Sequence, residues 1–245
     1  MKKLASPREF YRFSGRCLPW LWGVFALAFG FGLVDGLWLA PSDYQQGQGY
    51  RIMFVHVPAA MLSMGIYGLM AACSLVYLVW RIKLADVVAA VSAPLGALFA
   101  GLALVTGALW GKPMWGTWWI WDARLTSELI LLFLYCGAMG LRSAIPELER
   151  SSKATSILIL IGVIDLPIIH YSVYWWNTLH QQSTLLKMGA PSIAPSMLYP
   201  LLAMIIAFGC YFAAVMLMRA RNEVLRREGR AQWVGHLLKG AADGI

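Results

Sequence analysis

Charge is what this sequence has least of. Asp, Glu, Lys and Arg make up 13% of its 245 residues, while hydrophobic residues make up 60%. Soluble domains average about 25% charged and about 45–50% apolar, so too few charges are present to cover a water-facing surface. Intrinsic disorder is excluded on the same ground, because chains that stay unfolded in water are poor in apolar residues. Cysteine is scarce too: Cys17, Cys73, Cys136 and Cys210 are scattered, with no CxxC or CxxCH pair among them. That excludes a disulfide framework and a thiol redox centre, and leaves the four as packing residues. No internal repeat and no low-complexity tract stands out.

What remains is apolar sequence in long runs. A helix that crosses about 30 Å of hydrocarbon needs roughly 17–25 such residues. Six stretches qualify: Leu18–Leu39, Pro58–Trp80, Val87–Trp110, Leu125–Leu141, Ala154–Trp176 and Ser196–Met218. The first follows a basic N-terminus, as a signal peptide does. Its apolar run is too long for one and Trp38-Leu39-Ala40 is a poor cleavage site, so it reads as a retained helix. The connections are too short for a sizeable soluble domain. The expected fold is all-α, one polytopic bundle of six transmembrane helices over residues 1–245, with a basic tail at 219–245.

Sixteen of the 20 Lys and Arg fall in the N-terminus, the 81–86 and 142–153 loops and that tail. Only Arg51, Lys112, Arg124 and Lys187 lie on the other side. Basic loops stay cytoplasmic, so both termini are expected there. Topology thus accounts for the net charge of +8 without a nucleic-acid partner, and the tail can rest on anionic membrane lipid.

The outer loops, 40–57, 111–124 and 177–195, hold the unusual chemistry. From Trp110 to Asp122 the chain reads Trp-Gly-Lys-Pro-Met-Trp-Gly-Thr-Trp-Trp-Ile-Trp-Asp, five of the 12 Trp within 13 residues. An interfacial aromatic belt explains Trp20, Trp22, Trp38 and Trp80, which stand singly or in pairs near span ends. It explains five indoles in one short loop poorly. A flat apolar platform suited to a large planar ligand explains them better.

There are only four histidines. His56 precedes Val57-Pro58, where a proline at a helix start keeps the residues before it extended, and so sits at the outer mouth of the second span. His180 lies just beyond the fifth, sharing a face with Trp176 if that helix runs on. His170 falls within the fifth span and His236 in the tail. Singly, each is more often a hydrogen-bonded polar group than a ligand. Two from different segments, on one membrane face beside an aromatic platform, can supply both axial bonds of a haem iron.

The outer cations Arg51, Arg124 and Lys112 are candidates to neutralise the haem propionates, the arginines ahead of the lysine because guanidinium binds carboxylate bidentately. Asp122 reads equally as the N-cap of the fourth span and as a group orienting Arg124 or an indole. Glu128 and Asp165 are carboxyls inside spans, costly there, and Asp165 with His170 suggests a buried polar network.

Trp115–Asp122 resembles the tryptophan-rich WWD signature of the haem-handling proteins of cytochrome c maturation. Arg51-Ile-Met-Phe-Val-His-Val-Pro-Ala-Ala, the block Trp110–Leu129 and Leu166-Pro-Ile-Ile-His-Tyr-Ser-Val-Tyr-Trp-Trp-Asn-Thr-Leu-His-Gln look like the cytochrome c maturation protein C family within them. The resemblance covers most of the chain. It implies that haem b, bis-histidine ligated by His56 and His180, is held at the periplasmic face of the bacterial inner membrane. It also implies delivery to a periplasmic haem chaperone, which makes the covalent bond through its own histidine, beside ABC transporter subunits and a small single-span protein. Trp115, Trp118, Trp119, Trp121 and Asp122 match the platform that contacts haem and chaperone.

The reading is of a haem-binding delivery protein and not an enzyme. A haem lyase would need an apocytochrome docking surface, and the longest outer loop, 177–195, is short for one. A transmembrane haem transporter finds only Glu128, Asp165 and His170 to mark a path. An electron-transfer cytochrome usually pairs its histidines inside spans.

Overall fold

In hydrocarbon every backbone N–H and C=O needs a partner within its own segment, so apolar runs of this length fold as helices. The computed structural model describes residues 6–176, 178–180 and 193–242. Helix α1 covers Pro7–Val34 and closes in a π-helical turn, Asp35–Leu39; a 3-10 turn, Gly49–Ile52, leads into α2, Met53–Trp80. Helices α3 (Lys83–Trp115), α4 (Ala123–Ala144), α5 (Leu148–Gly162), α6 (Asp165–Trp175), α7 (Pro195–Arg227) and α8 (Gln232–Ala242) follow. Counting the pair α5–α6 as one span, six helices are long and apolar enough to cross a membrane. No strand occurs among the described residues.

Helix pairs α2–α3 and α1–α7 form the two most extensive contacts. Between lipid-solvated helices there is no hydrophobic drive to associate, so small side chains that let backbones approach dominate the seams. Ala59, Ala60, Ala89, Ala93, Ala100 and Ala103 of α2 and α3 are buried in the central core. Tyr67 and Tyr135 close the centre edge to face, with centroids 5.2 Å apart. Large apolar residues such as Trp20, Leu27 and Phe133 point outward, as expected where lipid is the solvent.

Polar groups inside the bundle are tied to each other. The Ser63 hydroxyl donates to Glu128 Oε1 at 2.7 Å, and the Tyr135 hydroxyl to the Ser63 carbonyl at 2.6 Å. Asp86 is buried at the other end of α3, where Arg142 of α4 donates to it twice, at 2.8 and 2.9 Å, and Arg227 of α7 once, at 2.8 Å. That carboxylate clamps three helices together. The four cysteines are free thiols.

Several helices depart from the sequence expectation. The fifth span breaks after Gly162 and restarts at Asp165. Pro167 has no N–H to give the preceding turn, a loss that costs least in the first turn of a helix. The sixth runs on to Arg227, past Met218, because Glu223 pairs with Arg226 and Arg227 one turn ahead. The basic tail is therefore helical, as the end of α7 and then α8. The third span continues through Trp110 to Trp115, so two of the five clustered indoles belong to a helix. Gly116 ends it in the left-handed region, at φ 77°, which glycine adopts without steric cost.

Candidate functional site

The start of α2, the end of α3, the start of α4 and the end of α6 meet at one end of the bundle. The N-terminal and C-terminal segments meet at the opposite end, where Arg221 of α7 donates to the Tyr11 carbonyl of α1.

His56 is helical. The 3-10 turn at Gly49–Ile52 passes straight into α2, so the extended approach expected before Pro58 does not form. Proline is accommodated because it falls near the helix start, where few backbone donors have an intrahelical partner. The consequence is that His56 faces α3. Its Nδ1 lies 3.0 Å from the Ala103 carbonyl and 3.1 Å from the Thr106 hydroxyl. Since the carbonyl can only accept, Nδ1 carries the proton and Nε2 is left with a free lone pair. The ring meets Trp110 edge to face, at 5.7 Å. Gly107 makes room for it, since a Cβ there would lie 3.1 Å from His56 Cε1.

His180 reaches the same region from the other side. Helix α6 stops at Trp175 and Trp176 is extended, so no helical face joins Trp176 to His180. A local turn places the residue instead, with the His180 N–H donating to the Thr178 hydroxyl at 2.8 Å. Its Nδ1 is 3.4 Å from Asp122 Oδ2, and its ring is 4.9 Å from that of Trp115. Burial holds its imidazole below the usual histidine range; Asp122 pulls the other way, and the Arg124 charge adds to the lowering. The ring is thereby kept neutral and able to donate a lone pair. His180 and Arg124 both lie within electrostatic reach of His56.

Asp122 fills the N-cap role considered for it, and in place of Arg124 or an indole its second oxygen faces His180. Its Oδ1 accepts from the Leu125 N–H at 2.8 Å as the N-cap of α4, while Oδ2 faces His180. Of the platform residues, Trp118 and Trp121 are well exposed and Trp115 less so. Trp119 is tucked beneath, edge to face with Trp121 at 5.4 Å, and its indole N–H is buried without a partner among the described residues. Lys112 lies 5.9 Å over the Trp118 ring.

The two arginines diverge. Arg124 is largely buried and donates to the Ile169 carbonyl at 2.6 Å, linking α4 to α6. Arg51 braces the chain, donating to the Gly36 and Ala40 carbonyls, at 2.7 Å for the latter, and to Gln48. Among the described residues no hydrogen bond joins Asp165 to His170, and Asp165 Oδ2 and the Tyr67 hydroxyl have no partner. His170 packs edge-on against Tyr171 instead. Lys187, counted among the outer cations, lies outside the described residues.

The supports of His56, namely Ala103, Thr106 and Gly107, are not apparent from the sequence. Thr106 and Gly107 read there as ordinary small residues of an apolar span. Their one signal is being the small polar pair nearest the Trp-rich end of α3.

Fold and site together define a multi-pass α-helical membrane protein with two braced histidines beside a tryptophan platform at one end of its bundle. Residues 1–235 match the family described as Heme exporter protein C. The chain belongs to that family. It is 50% identical to the heme exporter protein C of Escherichia coli strain K12 over 238 residues, 97% of this chain and 96% of the relative. It is likewise 50% identical to that of Haemophilus influenzae over 230 residues, 94% of each chain. Identity to that of Bradyrhizobium diazoefficiens is 51% over 228 residues, 93% of this chain and 86% of the relative.

Proposed function

We propose that this protein holds haem b between His56 and His180 at the outer face of the bacterial inner membrane and presents it to a periplasmic haem chaperone. The observation that carries this is the pairing of the two imidazoles. They come from separate elements and each has Nδ1 beside an acceptor, the Ala103 carbonyl or the Asp122 carboxylate, an arrangement that would leave Nε2 of each to the iron. Ligating histidines are oriented in this way by a second hydrogen bond, which fixes the tautomer and raises basicity.

The other residues fit the same group. Arg124, charged and within reach of both rings, is the cation placed to hold a propionate. Arg51 shapes the mouth of the site through the end of α1. The exposed Trp118 and Trp121 offer ring faces to a macrocycle edge and to a partner. Haem supplies an iron and a reactive vinyl edge; this chain supplies orientation, two ligands and shelter from water. No nucleophile of its own is needed, because the covalent bond forms on the chaperone's histidine. The name of the relatives, heme exporter protein, supports haem as the cargo. ABC transporter subunits and a small single-span protein are the expected membrane partners.

The test is the optical spectrum of the purified protein. Low-spin bis-histidine bands are expected, and each of His56→Ala and His180→Ala should remove them. Bands unchanged in both variants would sink the assignment.

A further inference from the structure

Glu128 is buried one turn of α4 below Arg124, and residues four apart on a helix stand one above the other on the same face. A carboxyl within a span is costly unless it is paired or put to use. Arg124 donates to the Ile169 carbonyl, and its charge is balanced through space by Glu128 and Asp122. Asp122 is held separately, by the Leu125 N–H at the start of α4, where the helix dipole also favours a negative charge. Glu128 has no such support. It touches neither histidine, yet it stands behind the one cation assigned to the cargo.

Its surroundings suit two charge states. The buried Ser63 hydroxyl lies 2.7 Å from Glu128 Oε1 and 2.8 Å from the Ala60 carbonyl. A hydroxyl has one proton to give and can also accept, so it serves one of these acceptors at a time. With Glu128 ionised, Ser63 donates to the carboxylate. With Glu128 protonated, the acid donates to Ser63 Oγ, and Ser63 turns its own proton to Ala60. Both states are hydrogen-bonded without any heavy atom moving. The Tyr135 hydroxyl pins the arrangement by donating to the Ser63 carbonyl at 2.6 Å. The titratable and charged groups around Glu128 are Arg124 and Tyr135 of α4, Asp165 of α6 and, behind Tyr135, Tyr67 of α2.

We infer that Glu128 is a positioning residue of the haem site, which balances the Arg124 charge and gives up its own, by taking a proton, when a carboxylate of the cargo pairs with Arg124. This rests on the reading of Arg124 as the propionate partner. Arg124 and Glu128 together carry no net charge. A propionate adds a second negative charge to one buried cation, a surplus that is expensive away from water. One proton from solvent restores the balance: an O–H bond forms on Glu128, and no bond of the protein breaks. Arg124 is then left to the propionate. Haem affinity therefore falls as pH rises, because a proton must accompany the cargo.

The experiment is a haem titration of the full chain in phosphatidylcholine nanodiscs from about pH 6 to about pH 9, in the parent and in Glu128→Gln. Haem and its dimethyl ester are compared. The amide keeps a donor and an acceptor for Ser63 but carries no charge. With haem, the parent's affinity should fall more steeply than the variant's, by up to about tenfold per pH unit, the slope of one linked proton. Free haem and the histidines titrate alike in both proteins, so the difference reads Glu128. The ester brings no carboxylate, and with it the two slopes should coincide. Equal slopes with haem overturn the proposal; so does a difference that persists with the ester, which marks a merely structural effect. If Glu128→Gln does not fold, the parent alone decides. In weak buffer at about pH 8, it should take up about one more proton with haem than with the ester, and equal uptake overturns the proposal. A parent that binds no haem overturns the haem-site reading as well, whereas a normal low-spin spectrum with equal slopes overturns this inference alone.

Discussion

Gly107 lies against the imidazole of His56, so that a Cβ added there would stand 3.1 Å from Cε1 and 3.6 Å from Nδ1. The nearer distance is tighter than ordinary van der Waals contact. The ring must therefore yield by a few tenths of an ångström if any side chain replaces the glycine, and its bond to the Ala103 carbonyl loosens with it. Gly107→Ala is expected to weaken haem binding about tenfold, equivalent to about 1.4 kcal/mol. Gly107→Leu should abolish the low-spin spectrum while the helical circular dichroism persists. Unchanged affinity in both variants would show that the position of His56 does not matter.

Asp122 separates into two functions under substitution. Asparagine is as good an N-cap as aspartate, so Asp122→Asn should keep the thermal midpoint of the detergent-solubilised protein. It loses the carboxylate that faces His180, and removing a group that orients a ligating histidine costs about 10–100-fold in metal affinity. Asp122→Ala should show the same loss of haem and, in addition, about 1 kcal/mol less stability. Equal haem binding in Asp122→Asn and the parent would remove Asp122 from the site.

The platform indoles should respond according to burial. Trp118 and Trp121 are exposed, so Trp118→Ala and Trp121→Ala are expected to leave stability unchanged, to loosen bound haem and to slow transfer to the chaperone. Trp119 has its indole nitrogen buried and packs on Trp121. Trp119→Ala should lower the thermal midpoint most, since truncating a well-packed tryptophan costs up to about 3–5 kcal/mol. A chaperone-transfer assay run beside thermal melts separates the two classes.

At the far end of the bundle, Asp86 is the test of structure without function. Its carboxylate receives three hydrogen bonds from Arg142 and Arg227. Asp86→Ala strands Arg142 and leaves Arg227 with Glu223 alone, and breaking a buried ion pair in this way costs about 3–5 kcal/mol. Melts should show the loss, while the haem spectrum of the protein that remains folded is unaltered. A shifted spectrum would reveal coupling between the ends of the bundle.

Much of this was legible in one dimension. Apolar runs and a skewed distribution of Lys and Arg are local properties, and hydrocarbon permits such runs only one backbone conformation. The density of indoles from Trp110 to Trp121 and the positions of His56 and His180 likewise stood out against a sequence with few of either elsewhere. Where sequence reasoning slipped, it slipped on backbone detail. Pro58 was expected to mark the start of the second span and instead sits one turn inside α2. Pro167, unremarked, restarts a helix after a break. Proline tolerates either position, and its neighbours in space choose between them.

The sequence by itself therefore determined six spans, their basic ends and which residue types are concentrated at one face. It could not say which way an imidazole turns or what a guanidinium holds. The pairing of His56 with Ala103, of His180 with Asp122 and of Arg51 with the end of α1 was decided only when distant segments packed together. Such contacts depend on helix rotation and crossing, to which small residues such as Gly107 contribute by leaving room. The bond between Ser63 and Glu128 has the same origin, because its two sides come from α2 and α4 and meet only in the folded protein.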